Sequence, residues 1–364
     1  MGDLAGSGRG AAMRLARRLS RRRVLRARRP PALRTAESGS APTIYYLCPD
    51  HPAPSGGIRA IYRHVDILNG AGMSAAVLHH SEGFACRWFE HTTRTVGASS
   101  VALSGEDVLV VPEIYGPFLS RLPRRPRLVA FSQNAYLTFE HVRDGAEPPY
   151  GIFEAALTVS PDSAEYLRFA FPGLRVEIVA NAIDPAVFHP QADPPGRHLA
   201  LMPRKRPGDA AQILRLLGDR LRGWEVVRIE GEAEAAAAAM LRSAPIFLAL
   251  GRQEGFGLPA AEAMASGCLT IGFPAFGGRE LFDPSFATAV EDGDVLSAAR
   301  ALAEAMGRYE ADPDGVRALG ARAAEHVRRE YSMDRQAETL LAFYDSLGHS
   351  RPLEPAPLAA PRSP

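Results

Sequence analysis

The sequence has few cysteines and no long apolar run. Its three cysteines, Cys48, Cys86 and Cys268, lie far apart, and no CxxC pair or Cys/His cluster indicates a zinc or redox site. We therefore expect free, buried thiols and a reducing compartment. No stretch of about eighteen apolar residues occurs, so the sequence predicts no membrane-spanning helix.

Lysine is nearly absent. Of the 42 basic residues only Lys205 is a lysine, and all the others are arginines. An ammonium group is a compact point charge on a flexible stem, whereas a guanidinium group is a planar fork. The single lysine therefore indicates a position where arginine does not serve.

Basic charge is concentrated at the N-terminus. Residues 1–40 contain eleven arginines against Asp3 and Glu37, although the net charge of the whole chain is only +1. The remainder is acidic on balance, which argues against nucleic acid as a partner. Residues 13–25 are compatible with a basic amphipathic helix on an anionic membrane surface. A disordered extension, or a start codon assigned too early, explains them equally well, and no apolar segment of a secretory signal follows.

Apolar runs and helical patterns alternate along the rest of the chain, which is typical of parallel sheets covered by helices. The predicted fold class is α/β, with two Rossmann-like domains facing a cleft, because 364 residues exceed the usual size of one domain. The predicted parts are a basic, disordered tail (1–40), an N-terminal domain (41–185), a C-terminal domain (197–332), a helix packing back on the N-terminal domain (333–348) and a disordered tail (349–364).

One segment carries most of the chemical information. The apolar run at 244–250 predicts a buried strand, a loop with three glycines follows, and Leu258-Pro259 opens a helix. Backbone N–H groups at such a helix start suit a phosphate or sugar hydroxyls. Glu254 lies in the loop and Glu262 lies one turn into the helix, and each carboxylate can accept two hydroxyl hydrogen bonds from a sugar diol.

This segment, EGFGLPAAEAMASG at 254–267, resembles the E-x7-E signature of the group 1 glycosyltransferases, which are retaining family 4 enzymes with the GT-B fold. Weaker similarities follow the same order along residues 43–347. They are Gly56-Gly57-Ile58, Asn181-Ala-Ile-Asp184 with Phe188, Phe276-Gly-Gly-Arg-Glu280 and Tyr331-Ser-Met-Asp334.

The resemblance implies roles for individual residues. Glu254 would contact the transferred sugar and Glu262 the ribose. The backbone amides of Gly255, Phe256, Gly257 and Leu258 would hold the sugar and diphosphate, Gly56 and Gly57 would let the first domain approach the diphosphate, and Arg204 or Lys205 would grip the phosphates. Physically, fixed cations and N–H dipoles stabilise a leaving diphosphate as it gains negative charge.

The sequence departs from the family pattern in three places. The basic residues Arg204 and Lys205 are adjacent, whereas the family spaces them apart. The segment Glu230-Gly-Glu232 runs almost directly into a helix, which shortens the region that helps to hold the nucleotide base. Gln133 and Asn134 stand where members of the family often carry a histidine, and neither can transfer a proton.

The predicted activity is transfer, with retention, of a sugar from a nucleotide sugar to a hydroxyl of a glycan or lipid-linked acceptor, in bacterial cell-surface polysaccharide synthesis. No metal and no cofactor besides the donor are expected, since Asp292-Gly-Asp294 is better explained as a turn and helix cap than as a metal site. We expect a cytoplasmic enzyme, and the basic tail is compatible with a location at the inner face of the membrane. The alternatives are a non-catalytic sugar-nucleotide-binding scaffold and an epimerase or phosphorylase of the same fold. Ser55-Gly-Gly-Ile58 is not the GxGxxG of an oxidoreductase.

Overall fold

The computed structural model describes residues 24–26, 28–38, 41–140, 142, 149–191 and 196–349. Most of the basic segment predicted to form a tail or a membrane-surface helix lies outside these residues, as does the proline-rich segment from residue 350. Within the described part of the chain, no helix has the length and apolar character needed to cross a membrane. All three cysteines are free and buried, as predicted.

The N-terminal domain is built on a seven-stranded parallel sheet with the order β4-β3-β2-β6-β7-β8-β9. Its strands are β2 (Ile44–Cys48), β3 (Ala75–His79), β4 (Thr95–Gly97), β6 (Val108–Pro112), β7 (Arg127–Ser132), β8 (Ala155–Thr158) and β9 (Arg175–Ile178), and its helices are α1 (Gly56–Gly70) and α2 (Pro161–Ala170). The central strands are apolar throughout because helices and 3-10 turns cover both faces of the sheet.

The C-terminal domain has a five-stranded parallel sheet with the order β11-β10-β12-β13-β14. Its strands are β10 (His198–Leu201), β11 (Glu225–Arg228), β12 (Ile246–Leu250), β13 (Leu269–Phe273) and β14 (Ala287–Ala289), and its helices are α3 (Pro207–Leu217), α4 (Glu234–Arg242), α5 (Leu258–Ala265), α6 (Val295–Ala311) and α7 (Pro313–Glu330). The α/β class with two parallel sheets is therefore confirmed. Asp294 caps α6 by accepting a hydrogen bond from the Ser297 N–H, as predicted.

After the edge strand β11, the chain forms α4 and then the central strand β12. The short segment between β11 and α4 is the shortening expected from Glu230-Gly-Glu232. The loop that joins β11 to α4 therefore has only five residues, from Ile229 to Ala233.

The segment before residue 41 contacts the N-terminal domain. β1 (Arg34–Thr35) pairs in parallel with β5 (Ala102–Leu103), and the Arg28 guanidinium lies 2.7 Å from the Glu140 carboxylate. A two-residue strand has no periodicity that sequence inspection can detect, which is why the predicted tail extended to residue 40.

The terminal helix α8 (Met333–Ser346) lies against the N-terminal domain. The Tyr344 hydroxyl donates to the Tyr46 hydroxyl at 2.9 Å in a fully buried position, and the Gln336 amide donates to the Ala180 carbonyl at 3.0 Å. These contacts return the end of the chain to the first domain and join the two domains on the side of α1.

Candidate functional site

A cavity of about 710 Å³ lies between the two domains. Its walls come from the carboxyl ends of strands in both sheets, where ligand sites of open parallel sheets usually lie. All ten residues predicted for the site line it: Gly56, Gly57, Arg204, Lys205, Glu254, Gly255, Phe256, Gly257, Leu258 and Glu262.

The glycine-rich loop reaches the cavity because β12 ends at Leu250 and α5 begins at Leu258. Gly257 precedes the helix with a φ of +94°, a left-handed conformation that side chains rarely adopt. Pro259 occupies the first turn, where its missing N–H costs nothing. No side chain caps this helix start, so its amides are available to an anionic ligand.

Glu254 and Lys205 form an ion pair inside the cavity. The Lys205 Nζ lies 3.0 Å from the Glu254 Oε1, and the carboxylate is buried while the lysine side chain is 37% exposed. Lys205 ends the 3-10 turn Pro203–Lys205 that follows β10, so the chain's single lysine faces the first glutamate of the motif. Arg204 also lines the cavity and is exposed.

Arg206, the last basic residue of this cluster, has a structural role. Its Nε donates to the Gly251 carbonyl at 2.6 Å, its Nη1 to Asp209 at 2.8 Å, and its Nη2 to Asp292. The guanidinium group also lies over the Phe273 ring. Arg206 therefore supports the loop that carries the site, and it leaves Arg204 and Lys205 to face a ligand.

Glu262 is bound to a residue that sequence analysis did not identify. Arg59, in α1 of the N-terminal domain, donates Nη2 to the Glu262 Oε1 and Nη1 to the Glu234 Oε1, the latter at 2.6 Å. All three side chains are at most one-tenth exposed. Burial alone would lower the pKa of Arg59, but the two carboxylates reverse this and raise it above its ordinary value. The sequence did offer one sign of this role, because Arg59 is a charged residue inside the apolar run Ile58–Ile61.

A second arginine of α1 reinforces this interdomain cluster. The Arg63 Nη1 donates to the Ala182 carbonyl at 3.0 Å, and its Nη2 lies 3.3 Å from the Glu234 Oε1. Burial and the neighbouring Arg59 lower the pKa of Arg63. Two arginines of one domain thus face Glu234 and Glu262 of the other.

The two walls of the cleft touch at glycines. A Cβ atom on Gly255 would lie 2.0 Å from the Gln133 carbonyl oxygen, and one on Gly56 would lie 2.4 Å from the Leu258 Cδ1. The Asn134 amide donates to the Gln253 carbonyl at 2.8 Å. Gln133 and Asn134, which stand where a histidine was expected by resemblance, thus contribute interdomain contacts.

Glu113 is a further cavity residue that sequence analysis missed. It follows β6 directly, lines the cavity on the side of the N-terminal domain, and accepts a hydrogen bond from the Gln133 backbone N–H at 3.1 Å. Burial raises its pKa to about 7, although backbone N–H groups oppose this. A glutamate at the carboxyl end of an apolar strand was the signal in the sequence.

The described residues include no group of three or more His, Cys, Asp or Glu side chains arranged to hold a metal ion. The buried histidines are engaged with aromatic residues instead. His64 bonds to the Tyr46 hydroxyl at 3.1 Å and His79 bonds to the Tyr62 hydroxyl at 2.8 Å.

The known proteins that the chain resembles in sequence are glycosyltransferases. Residues 199–342 match the model of a family described as glycosyl transferase-like. The chain is 36% identical to the lipopolysaccharide core biosynthesis mannosyltransferase LpcC of Rhizobium leguminosarum bv. viciae over 108 residues. These aligned residues cover 29% of this chain and 29% of that relative. The chain is 23% identical to an alpha-1,6-glucosyltransferase of Actinobacillus pleuropneumoniae serotype 7 (strain AP76) over 292 residues. This alignment covers 72% of this chain and 83% of that relative.

Solved structures agree on the fold. Sucrose-phosphate synthase from Thermosynechococcus elongatus superposes with a TM-score of 0.64 at 15% identity, over 85% of this chain and 99% of that one. Anabaena HepE, solved in complex with UDP and glucose, gives 0.63 at 14% identity, over 84% and 100%. The predicted resemblance is confirmed: residues 199–342 are glycosyltransferase-like in sequence, and the chain has the GT-B fold.

Proposed function

We propose that this protein is a retaining glycosyltransferase that moves a hexose from a nucleotide sugar to a hydroxyl group of a glycan or lipid-linked acceptor. The observation that carries the proposal is the convergence of all ten predicted residues on one interdomain cavity, where the Lys205 ammonium faces the Glu254 carboxylate. The Rhizobium and Actinobacillus relatives are a mannosyltransferase and a glucosyltransferase, which supports a hexosyl donor.

The diphosphate leaving group would lie between the start of α5 and the cations Arg204 and Lys205. As the glycosidic bond breaks, negative charge accumulates on the diphosphate, and the helix amides and the two cations stabilise that charge. Lys205 can turn from Glu254 to a phosphate because its stem is flexible and partly exposed. Glu254 is then free to accept hydrogen bonds from hydroxyl groups of the transferred sugar.

Glu262 would accept the ribose hydroxyls. Arg59 binds its Oε1, and no other hydrogen bond to this carboxylate is found within the described part of the chain. One carboxylate oxygen is therefore available to a ribose diol while the other stays bound to the N-terminal domain. This arrangement would couple nucleotide binding to the position of the two domains.

The acceptor hydroxyl would approach the anomeric carbon from the side of the leaving diphosphate, whose oxygen takes the proton. Such front-face transfer retains the anomeric configuration and needs no pair of carboxylates flanking the bond, unlike glycoside hydrolysis. We further propose that the reaction needs no metal ion, which assays in the presence and absence of a chelator would test.

Three aspects of the setting are also proposals. The reaction would serve bacterial cell-surface polysaccharide synthesis, since the Rhizobium relative is a mannosyltransferase of lipopolysaccharide core biosynthesis. It would take place in the cytoplasm, and the arginine-rich segment before residue 28 would contact anionic lipids of the inner face.

A non-catalytic sugar-nucleotide-binding protein is the second candidate. Both glutamates of the motif are already engaged by cations, Glu254 by Lys205 and Glu262 by Arg59, which is also what a binding protein could show. Such a protein would bind a donor without consuming it, whereas an epimerase would return an altered nucleotide sugar.

The test is a panel of nucleotide sugars assayed for thermal stabilisation and for products. A ligand that binds the native state raises the unfolding temperature. The proposal predicts that one donor class both stabilises the protein and is consumed, and that the product keeps the anomeric configuration of the donor. Stabilisation without consumption would favour the binding protein, and inversion would exclude the retaining mechanism.

A further inference from the structure

The cavity reaches the loop that follows β11, the edge strand of the C-terminal sheet. Its lining there includes Ile229, Glu230, Gly231 and Glu232 of this loop, and Trp88 of the N-terminal domain. None of these residues belongs to the sugar and diphosphate positions described above. This end of the cavity is bounded by the short loop that replaces the longer base-holding region expected by resemblance.

Trp88 belongs to the N-terminal domain, in the loop between β3 and β4. Its carbonyl oxygen accepts a hydrogen bond from the Glu234 N–H at 3.2 Å, which holds it against the start of α4 in the other domain. Its ring is half-buried and packs on Phe89, with 4.6 Å between the ring centroids. Trp88 is thus a fixed aromatic wall at the end of the cavity, and aromatic walls bind nucleobases by stacking.

The cavity wall formed by residues 229–232 carries two carboxylates. Glu230 and Glu232 are exposed and line the cavity, and neither forms a salt bridge with any residue in the described ranges. Glu234 differs, because Arg59 and Arg63 bind it. Gly231, between the two, has a φ of +76° and open space around it. The loop therefore turns at Gly231, between the two glutamates.

The chemistry of a carboxylate limits which base this wall can recognise. An ionised carboxylate only accepts hydrogen bonds. Guanine presents two adjacent donors, its N1–H and its exocyclic amino group, which match the two oxygens of one carboxylate. Uracil presents a single N–H between two carbonyl oxygens, and those oxygens would face the negative charge.

We propose that Trp88, Glu230 and Glu232 form a nucleobase subsite shared between the domains, and that this subsite takes guanine. The donor would then be a guanosine diphosphate sugar. This inference rests on the proposed function, since it names the nucleotide of the same donor.

The two tryptophans of the chain allow a direct test. Trp224 lies in the C-terminal domain, where its Nε1 donates to Glu310 at 3.0 Å, and it does not line the cavity. The variant Trp224→Phe therefore leaves Trp88 as the only tryptophan reporter. We expect GDP to quench its fluorescence saturably, and we expect UDP and ADP to bind about tenfold or more weakly.

Two pairs of variants separate stacking from base recognition. Trp88→Ala should weaken GDP binding about tenfold by the thermal-shift assay, whereas Trp88→Phe keeps a ring and should bind nearly normally. The double variant Glu230→Gln with Glu232→Gln should lose most of the preference for GDP over UDP. Glu304→Gln, an exposed position on α6 outside the cavity, is the matched control and should keep that preference.

The failures are distinguishable. If UDP or ADP binds as tightly as GDP, the guanine assignment is wrong. If GDP stabilises the protein but neither quenches Trp88 nor depends on the ring at position 88, the shared subsite is wrong while the proposed function stands. If no nucleoside diphosphate stabilises the protein at all, the proposed function fails and the subsite fails with it.

Discussion

Arg59 of the N-terminal domain donates a hydrogen bond from Nη2 to the Oε1 of Glu262 in the C-terminal domain, and both side chains are buried. The second glutamate of the E-x7-E motif is therefore part of the interface between the domains as well as part of the proposed donor site. A buried ion pair contributes little net stability when both partners are present, but the loss of one partner leaves an uncompensated charge.

The first prediction concerns this pair. Arg59→Met should lower the free energy of unfolding by about 3–5 kcal/mol, because it leaves the buried Glu262 without its cation and leaves Glu234 with Arg63 alone. Denaturant unfolding measures the change. Arg222→Met is the control, since Arg222 pairs with Asp219 at the surface, with side chains 84% and 96% exposed, and should change stability by about 0.5 kcal/mol or less. Equal effects of the two substitutions would show that the interdomain pair is not a buried charge in solution.

The second prediction concerns Lys205. Lys205→Ala should reduce kcat by about 10²- to 10³-fold, because one fixed cation is removed from the developing charge of the diphosphate. Lys205→Arg should recover only part of the rate, since the planar guanidinium cannot take the place of a compact ammonium in contact with Glu254. Arg252→Ala is the control, since Arg252 stands two residues before Glu254 in the sequence, is exposed and does not line the cavity. A rate for Lys205→Ala close to that of the control would remove Lys205 from the mechanism.

The third prediction concerns the pH dependence of stability through Glu113. Its pKa is raised from 4.5 to about 7 in the folded protein, so the folded state holds the proton more tightly than the unfolded state does. Its protonation therefore stabilises the fold fully below the unfolded pKa, and this contribution is lost as the pH rises through the folded pKa. Glu113→Gln should then be more stable than the wild type by about 3 kcal/mol near pH 8, and this advantage should shrink towards pH 5.

Unfolding temperatures measured across this pH range check the Glu113 prediction, with Glu304→Gln as an exposed control. Parallel curves for the wild type and Glu113→Gln would contradict it.

The fourth prediction concerns closure of the cleft. Alanine at Gly255 would place its Cβ 2.0 Å from the backbone oxygen of Gln133 in the other domain. Since a backbone atom cannot move aside as a side chain can, we expect Gly255→Ala to hold the domains apart, to increase the radius of gyration in solution scattering, and to abolish transfer. Gly307→Ala meets no atom within 4 Å and should leave both unchanged. A compact, active Gly255→Ala variant would mean that closure is not required.

The sequence predicted the elements that carry strong local patterns. The apolar run at 244–250 predicted a buried strand, and the structure has β12 at Ile246–Leu250. The start of α5 at Leu258 followed from the glycine loop and Pro259. The short strand β4 was missed, because three residues carry too little periodicity.

The residues of the site also fall into two groups, those that the sequence predicted and those that it did not. Glu254, Lys205 and the glycines were found because they lie in short motifs close to strand ends. Glu113 was missed although it follows an apolar strand directly. Arg59 and Trp88 were missed because their contacts lie in the other domain: Trp88 accepts from Glu234, and Arg59 binds Glu262, which comes 203 residues later in the sequence. No local pattern predicts such a contact, since it depends on how two separately folded domains face each other.

The central claim is that the interdomain cavity binds a nucleotide sugar and that Glu254 acts in its transfer. The most direct measurement is release of nucleoside diphosphate and of sugar by the wild type and by Glu254→Gln, with donor binding followed by thermal stabilisation of both. We predict that both proteins bind the same donor class, and that only the wild type consumes it at an appreciable rate. Consumption at equal rates by the two proteins, or the absence of any stabilising nucleotide sugar, would contradict this account.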